Sequence, residues 1–147
     1  MPAPKGNQFW KARSSHGRKP IFAEPEKLHE ACLEYFQWVE DNPLYAAELV
    51  KFQGDAKVVE VPKMRAMTIG GLCLFLDIAP DTWFRYAKME GFSDVTREIE
   101  EAIRLQKFAG AAAELLNPNI IARDLGLADK REHSGLNVTI QSGDADL

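Results

Sequence analysis

The 147-residue chain has only two cysteines and three histidines, and none of its apolar runs approaches the ~18–20 residues that a membrane span requires. Its N-terminus holds charges and prolines but no apolar stretch, so it does not read as a secretory leader, and no membrane partner is expected. Cys32 and Cys73 lie in apolar, helix-like contexts and read as buried free thiols in a reducing compartment rather than as a disulfide or a metal pair. His16, His29 and His133 are scattered without ligand spacing, so no metal site is expected. There is no P-loop, no glycine-rich phosphate cradle and no nucleophile elbow. Glu98, Glu100 and Glu101 read as a solvated acidic face, Asp77 and Asp81 as capping residues, and His16 has no carboxylate beside it to orient its ring. A non-enzymatic protein without a cofactor is the expectation.

What the chain does have is an uneven charge. The net charge is −4, yet residues 1–20 contain five cations and no acid, which leaves −9 on the other 127 residues. Those cations are Lys5, Lys11, Arg13, Arg18 and Lys19, interleaved with Pro, Gly and Ser and with the pair Phe9-Trp10. Such a segment buries too little to offset its chain entropy, and reads as a solvated arm suited to phosphate contacts. The domain reading is a basic arm over 1–22, a helical core over 23–132 with a β-hairpin at about 44–61, and a strand segment with an acidic tail over 133–147.

Within the core, Pro25 to Asn42 reads as a helix. Pro25 suits its first turn, Leu28, Ala31, Cys32, Tyr35, Phe36, Trp38 and Val39 form one broad apolar face, and Pro43 stops it. Two β-prone runs, 48–52 and 57–61, flank Gln53-Gly54-Asp55-Ala56 and predict a hairpin, which needs something to lean on. Thr68 to Lys88 outlines a helix-turn-helix. Thr68 caps an almost wholly apolar first helix, Ala79-Pro80 breaks it, and Asp81 or Thr82 caps a second helix bearing Trp83, Arg85, Tyr86 and Lys88. A helix capped by Ser93 is expected to run to Asn117, apolar so far round its surface that it packs on two partners, with Gly110 to Ala113 admitting a second helix closely. A short helix over 119–125 ends at Gly126. Leu136 to Ile140 alternates like a strand and has no neighbour in sequence. Paired with the same strand from other copies around a ring, it closes a barrel without edges.

The strings that combine these features are long. The opening Ala3-Pro4-Lys5-Gly6-Asn7-Gln8-Phe9-Trp10-Lys11-Ala12-Arg13-Ser14-Ser15-His16-Gly17-Arg18 resembles the N-terminus of the small terminase subunits, DNA-packaging proteins of short-tailed, headful-packaging bacteriophages. The resemblance continues through Tyr35 to Glu40, Lys63 to Thr68 and Gln106 to Ala113, and ends at Asn119 to Leu127, covering roughly residues 2–127 in order. It implies a mainly α protein: a helical core with a helix-turn-helix-like hairpin and a long central helix, a projecting β-hairpin, and a C-terminal strand in an intersubunit β-barrel. It also implies a homo-oligomeric ring, a nonamer in the best-known relatives. The implied role is non-catalytic: to bind double-stranded viral DNA at the packaging site of a concatemer and to recruit and regulate the large terminase subunit, an ATPase and nuclease. This places the protein in the host cell cytoplasm and outside the mature virion.

Close relatives continue past the strand crown into a basic tail, whereas Gly143-Asp144-Ala145-Asp146-Leu147 is acidic. The cations expected to meet DNA are therefore Lys5, Lys11, Arg13, Arg18 and Lys19 of the arm, Lys63 and Arg65 beside the hairpin, and Arg85 and Lys88 of the second helix. The competing readings are a dimeric helix-turn-helix transcriptional regulator, which requires a palindromic site, and a structural ring whose DNA contacts are weak and unspecific.

Overall fold

A computed structural model describes residues 22–127 as five helices and one hairpin, in the order α1 (Pro25–Asp41), β1 (Leu44–Phe52), β2 (Asp55–Lys63), α2 (Ile69–Leu76), α3 (Pro80–Tyr86), α4 (Phe92–Ala112) and α5 (Pro118–Asp124). In α1, Pro25 takes the first turn and Leu28, Ala31, Cys32, Tyr35 and Val39 turn inward at helical spacing. The helix ends where the Asn42 side-chain amide donates back to the Trp38 carbonyl at 2.8 Å, immediately before Pro43.

The hairpin is antiparallel, with Leu44 opposite Lys63 at its base and Phe52 opposite Asp55 at its tip. Its turn is tighter than the sequence implies. Only Gln53 and Gly54 lie between the strands, with φ of 50° and 84°, the left-handed pair whose twist matches that of the strands. Because the turn uses two residues, β2 starts at Asp55 and the ladder extends two residues past Val61. Every residue from Ala47 to Val58 is exposed, so the distal part projects from the body.

The helix-turn-helix outline is present. Thr68 Oγ accepts from the Gly71 amide at 2.9 Å and starts α2, which buries Leu72, Cys73, Phe75 and Leu76. Asp77 ends α2 in the left-handed conformation at φ 58°. One detail is corrected. Neither Asp81 nor Thr82 caps α3, because Pro80 occupies its first turn and the cap position falls to Ala79, which has no side-chain acceptor. Asp81 instead sits in the first turn, where its charge favours the helix's positive end.

The long helix also differs from expectation. It begins at Phe92 after Gly91, so Ser93 lies inside the helix, and it ends at Ala112 rather than Asn117. The chain then folds back: Glu114 has φ 60°, and the amides of Leu115 and Leu116 both donate to the Gly110 carbonyl, at 2.8 and 3.0 Å. The reversal explains Gly110. A Cβ there would lie 2.7 Å from Leu116 Cδ1 and 2.8 Å from Met64 Sδ, so the small residue admits the chain's own side chains rather than a second helix. Helix α5 is capped by Asn117, whose side-chain oxygen accepts from Asn119 and Ile120, and it is tied to α4 by an ion pair between the buried Lys107 and Asp124.

The core lies where α1, α2, α3 and α4 converge, around Leu28, Leu72, Leu76, Trp83, Ile99 and Ile103. Both cysteines sit in it as free thiols. The strand expected over 136–140, its barrel, and the acidic tail lie outside the described residues.

Two predictions follow from this packing. Thr68→Ala removes an N-cap and should cost about 1 kcal/mol, seen as a lower melting temperature, while Thr68→Ser stays close to the parent. Burial pushes the Cys73 thiol from its ordinary 9.0 up to about 11, and pushes the Cys32 thiol up as well. Native protein at pH 8 should therefore resist thiol reagents that label it rapidly once unfolded. Since the unfolded thiols release protons first, stability should fall as pH rises from about 9 toward 11.

Candidate nucleic-acid interface

Two of the three aromatic residues of α3, Trp83 and Tyr86, face the body. The Trp83 indole N–H donates to Glu100 Oε1 at 2.9 Å, and the ring is fully buried. Tyr86 stacks on Phe92 with ring centroids 5.0 Å apart. These two side chains are occupied by packing and cannot stack on bases. What α3 and the following turn present outward is Asp81, Phe84, Arg85, Lys88, Met89 and Glu90. Arg85 bonds only lightly, to Thr82 Oγ at 3.2 Å, which leaves its guanidinium available to solvent. Two cations balanced by two acids make a weak phosphate surface when taken alone.

The chain segment before α1 changes that assessment. Phe22, which closes the basic segment in the sequence reading, is buried at 6% exposure, and its amide donates to the Tyr86 hydroxyl at 2.7 Å. The basic arm is thereby rooted on α3. Lys19 is three residues from this anchor in the sequence. Arg85 precedes Tyr86 by one residue and Lys88 follows it by two. Phe22 is thus attached to the helix that carries Arg85, through a residue that faces inward while Arg85 faces outward. Lys5, Lys11, Arg13, Arg18 and Lys19 themselves lie outside the described residues. Sequence periodicity could not reveal the anchor; the only signal was Ile21-Phe22, an apolar pair ending a polar arm.

The two cations near the hairpin are placed differently. Lys63 is half-exposed at the base of β2 and pairs with Glu48 at 2.9 Å. Arg65 is corrected to an interior role. Only 8% exposed, it donates through Nε to the Asn42 carbonyl at 2.7 Å, and its guanidinium lies 4.8 Å from the Trp38 ring centroid. Burial lowers its proton affinity below that of a free guanidinium, and one terminal nitrogen, Nη2, is buried without a hydrogen-bond partner. Arg65 joins elements of the body. The sequence could not distinguish it from Lys63, because both stand in the same short linker.

Among the described residues, no group of three or more His, Cys, Asp or Glu side chains could hold a metal ion, and no helix is long and apolar enough to cross a membrane.

The described residues form a helical body with a helix-turn-helix outline and a projecting hairpin. A family model described as DNA-packaging protein gp3 matches residues 17–133, and the chain belongs to that family. It is also similar to the small terminase subunit of Salmonella phage P22, with 53% identity over 146 residues, 99% of this chain and 89% of the relative. The resemblance to small terminase subunits, first visible in the arm and in the strings around Gln106 and Asn119, is upheld along nearly the whole chain.

The anchor can be tested directly. Tyr86→Phe keeps the stacked ring but removes the acceptor for the buried Phe22 amide, and should cost about 1–3 kcal/mol. Thermal unfolding reads the loss, and faster amide exchange at Phe22 localises it.

Proposed function

We propose that this protein recognises the packaging site of concatemeric viral DNA as a non-catalytic ring of copies in the host cell cytoplasm, and that it recruits and regulates the large terminase ATPase–nuclease. The observation that supports the DNA-binding part is the Phe22–Tyr86 hydrogen bond, which attaches to the helix-turn-helix the chain that follows the five-cation segment. The arm supplies sequence-independent affinity through counterion release, and repetition around a ring multiplies contacts that are individually weak. The assembly part is supported by an apolar stripe that the described residues leave uncovered. Leu105 and Phe108 of α4 are 54% and 50% exposed, and Leu115 and Ile120 beyond it are 63% and 64% exposed. A run of large apolar side chains along one helix and its return segment fits burial against a neighbouring copy.

Replacing Lys5, Lys11, Arg13, Arg18 and Lys19 with neutral residues should weaken DNA binding by at least tenfold at moderate salt and flatten its salt dependence, measured by filter binding over a salt series. The intact assembly should bind packaging-site DNA more tightly than unrelated DNA of equal length. Unchanged binding by the neutralised arm would remove it from the interface. A native mass equal to a dimer would favour the operator-binding regulator instead.

A further inference from the structure

The distal hairpin presents apolar side chains to water on an element that projects from the body. Phe52 is 71% exposed, Leu49 60%, Val58 64% and Val50 44%. A two-stranded ladder has little stability of its own, and its β-branched and aromatic residues gain only when something covers them. The register determines which of them act together. Phe52 is directly opposite Asp55, and Val50 is opposite Lys57, so these four share one face in two successive rows at the tip. Leu49 opposite Val58, and Lys51 opposite Ala56, lie on the other face. Neither Asp55 nor Lys57 has an ion-pair partner among the described residues.

From this arrangement we infer that the hairpin tip docks on the hairpin tip of a second copy of this chain, face to face, through Val50, Phe52, Asp55 and Lys57. Consider two tips approaching from opposite directions, related by a two-fold axis that runs across the strands between the two rows. Each Phe52 then covers the other copy's Val50, and each Asp55 meets the other copy's Lys57. The apolar column and the charged column match simultaneously, each twice, as an isologous contact requires. The opposite face does not offer this. Placing Leu49 on Leu49 and Val58 on Val58 sets Lys51 over Ala47 and Glu60 over Ala56, which leaves four charges without partners.

The geometry specifies which copies meet. The bodies must lie on opposite sides of the paired tips, so neighbours whose hairpins point the same way around one ring cannot make the contact. If the ring reading holds, this contact joins separate rings; if it does not, it joins separate molecules. Two rows of side chains cover far less than the ~800 Å² per partner of a stable interface, so each pairing is weak and concentration-dependent.

Sedimentation velocity on the full chain at low salt, over a concentration series, tests the proposal. The parent should associate beyond its basal assembly. Asp55→Lys and Lys57→Asp, each alone, should weaken that association at least tenfold by setting like charges opposite each other. An equimolar mixture of the two separately purified variants should restore it, and so should the double reversal. All four positions are exposed, and a shared basal mass and melting temperature would show that the variants fold. A parent without concentration dependence, single variants that associate like the parent, or a mixture that fails to recover would each overturn the proposal. So would association lost on Leu49→Ser but kept in Phe52→Ser, since that places the contact on the other face.

Discussion

Closing the chain around its hairpin is the constraint on which the fold depends. Residues 44–63 leave the body and return to it, and an excursion of that length must be sealed at its root. Arg65 seals it. Its Nε holds the Asn42 carbonyl at the outgoing end, and its guanidinium covers Trp38. Its own carbonyl accepts from Gln106 of α4, whose side-chain oxygen in turn accepts from the Met67 amide. One cation and one amide thus bring the end of α1, the hairpin exit, the approach to α2 and the middle of α4 to a single point. A buried guanidinium is costly unless its donors are satisfied, and Nη2 here is not, so the joint retains part of that cost.

A second set of polar contacts orients the helix-turn-helix. Trp83 to Glu100, Phe22 to Tyr86, and the two-way bonding of Tyr35 with the Thr68 backbone all direct amphipathic aromatics inward. A recognition helix needs its aromatic and polar tips free to reach a groove. Here Trp83 and Tyr86 are spent on attachment, and α3 with the turn after it presents Arg85 and Lys88 against two acids, beside the exposed Phe84 and Met89.

Most of the fold was legible because periodicity and punctuation agree. The α1 face, the hairpin, Thr68 as a cap and Gly126 as a stop are all local signals with local causes, whereas α2 ends at Asp77, three residues before the Pro80 expected to break it. The misjudged points have non-local causes. The early end of α4 depends on Leu116 and Met64 closing over Gly110, which no window of sequence displays. The interior placement of Arg65 depends on Trp38 and Asn42, more than twenty residues away. The candidate DNA surface was half legible. Composition exposes the basic arm, but its docking point was hidden because Phe22 and Tyr86 are 64 residues apart. The family was readable from long shared strings, while composition and spacing alone led no further than a helical protein with a basic arm.

The reach of the hairpin has a mechanical consequence. Two nine-residue strands at about 3.3 Å per residue make a beam roughly 30 Å long. Its paired backbone stiffens it, while the clamp on the body lies at one end, where Arg65 holds the Asn42 carbonyl. A beam fixed in this way acts as a lever. A rotation of a few degrees at the clamp sweeps the tip through several ångströms, and a sideways pull at the tip arrives at α1 and α4 as an amplified torque. Anything that grips the far end gains mechanical access to the centre of the body.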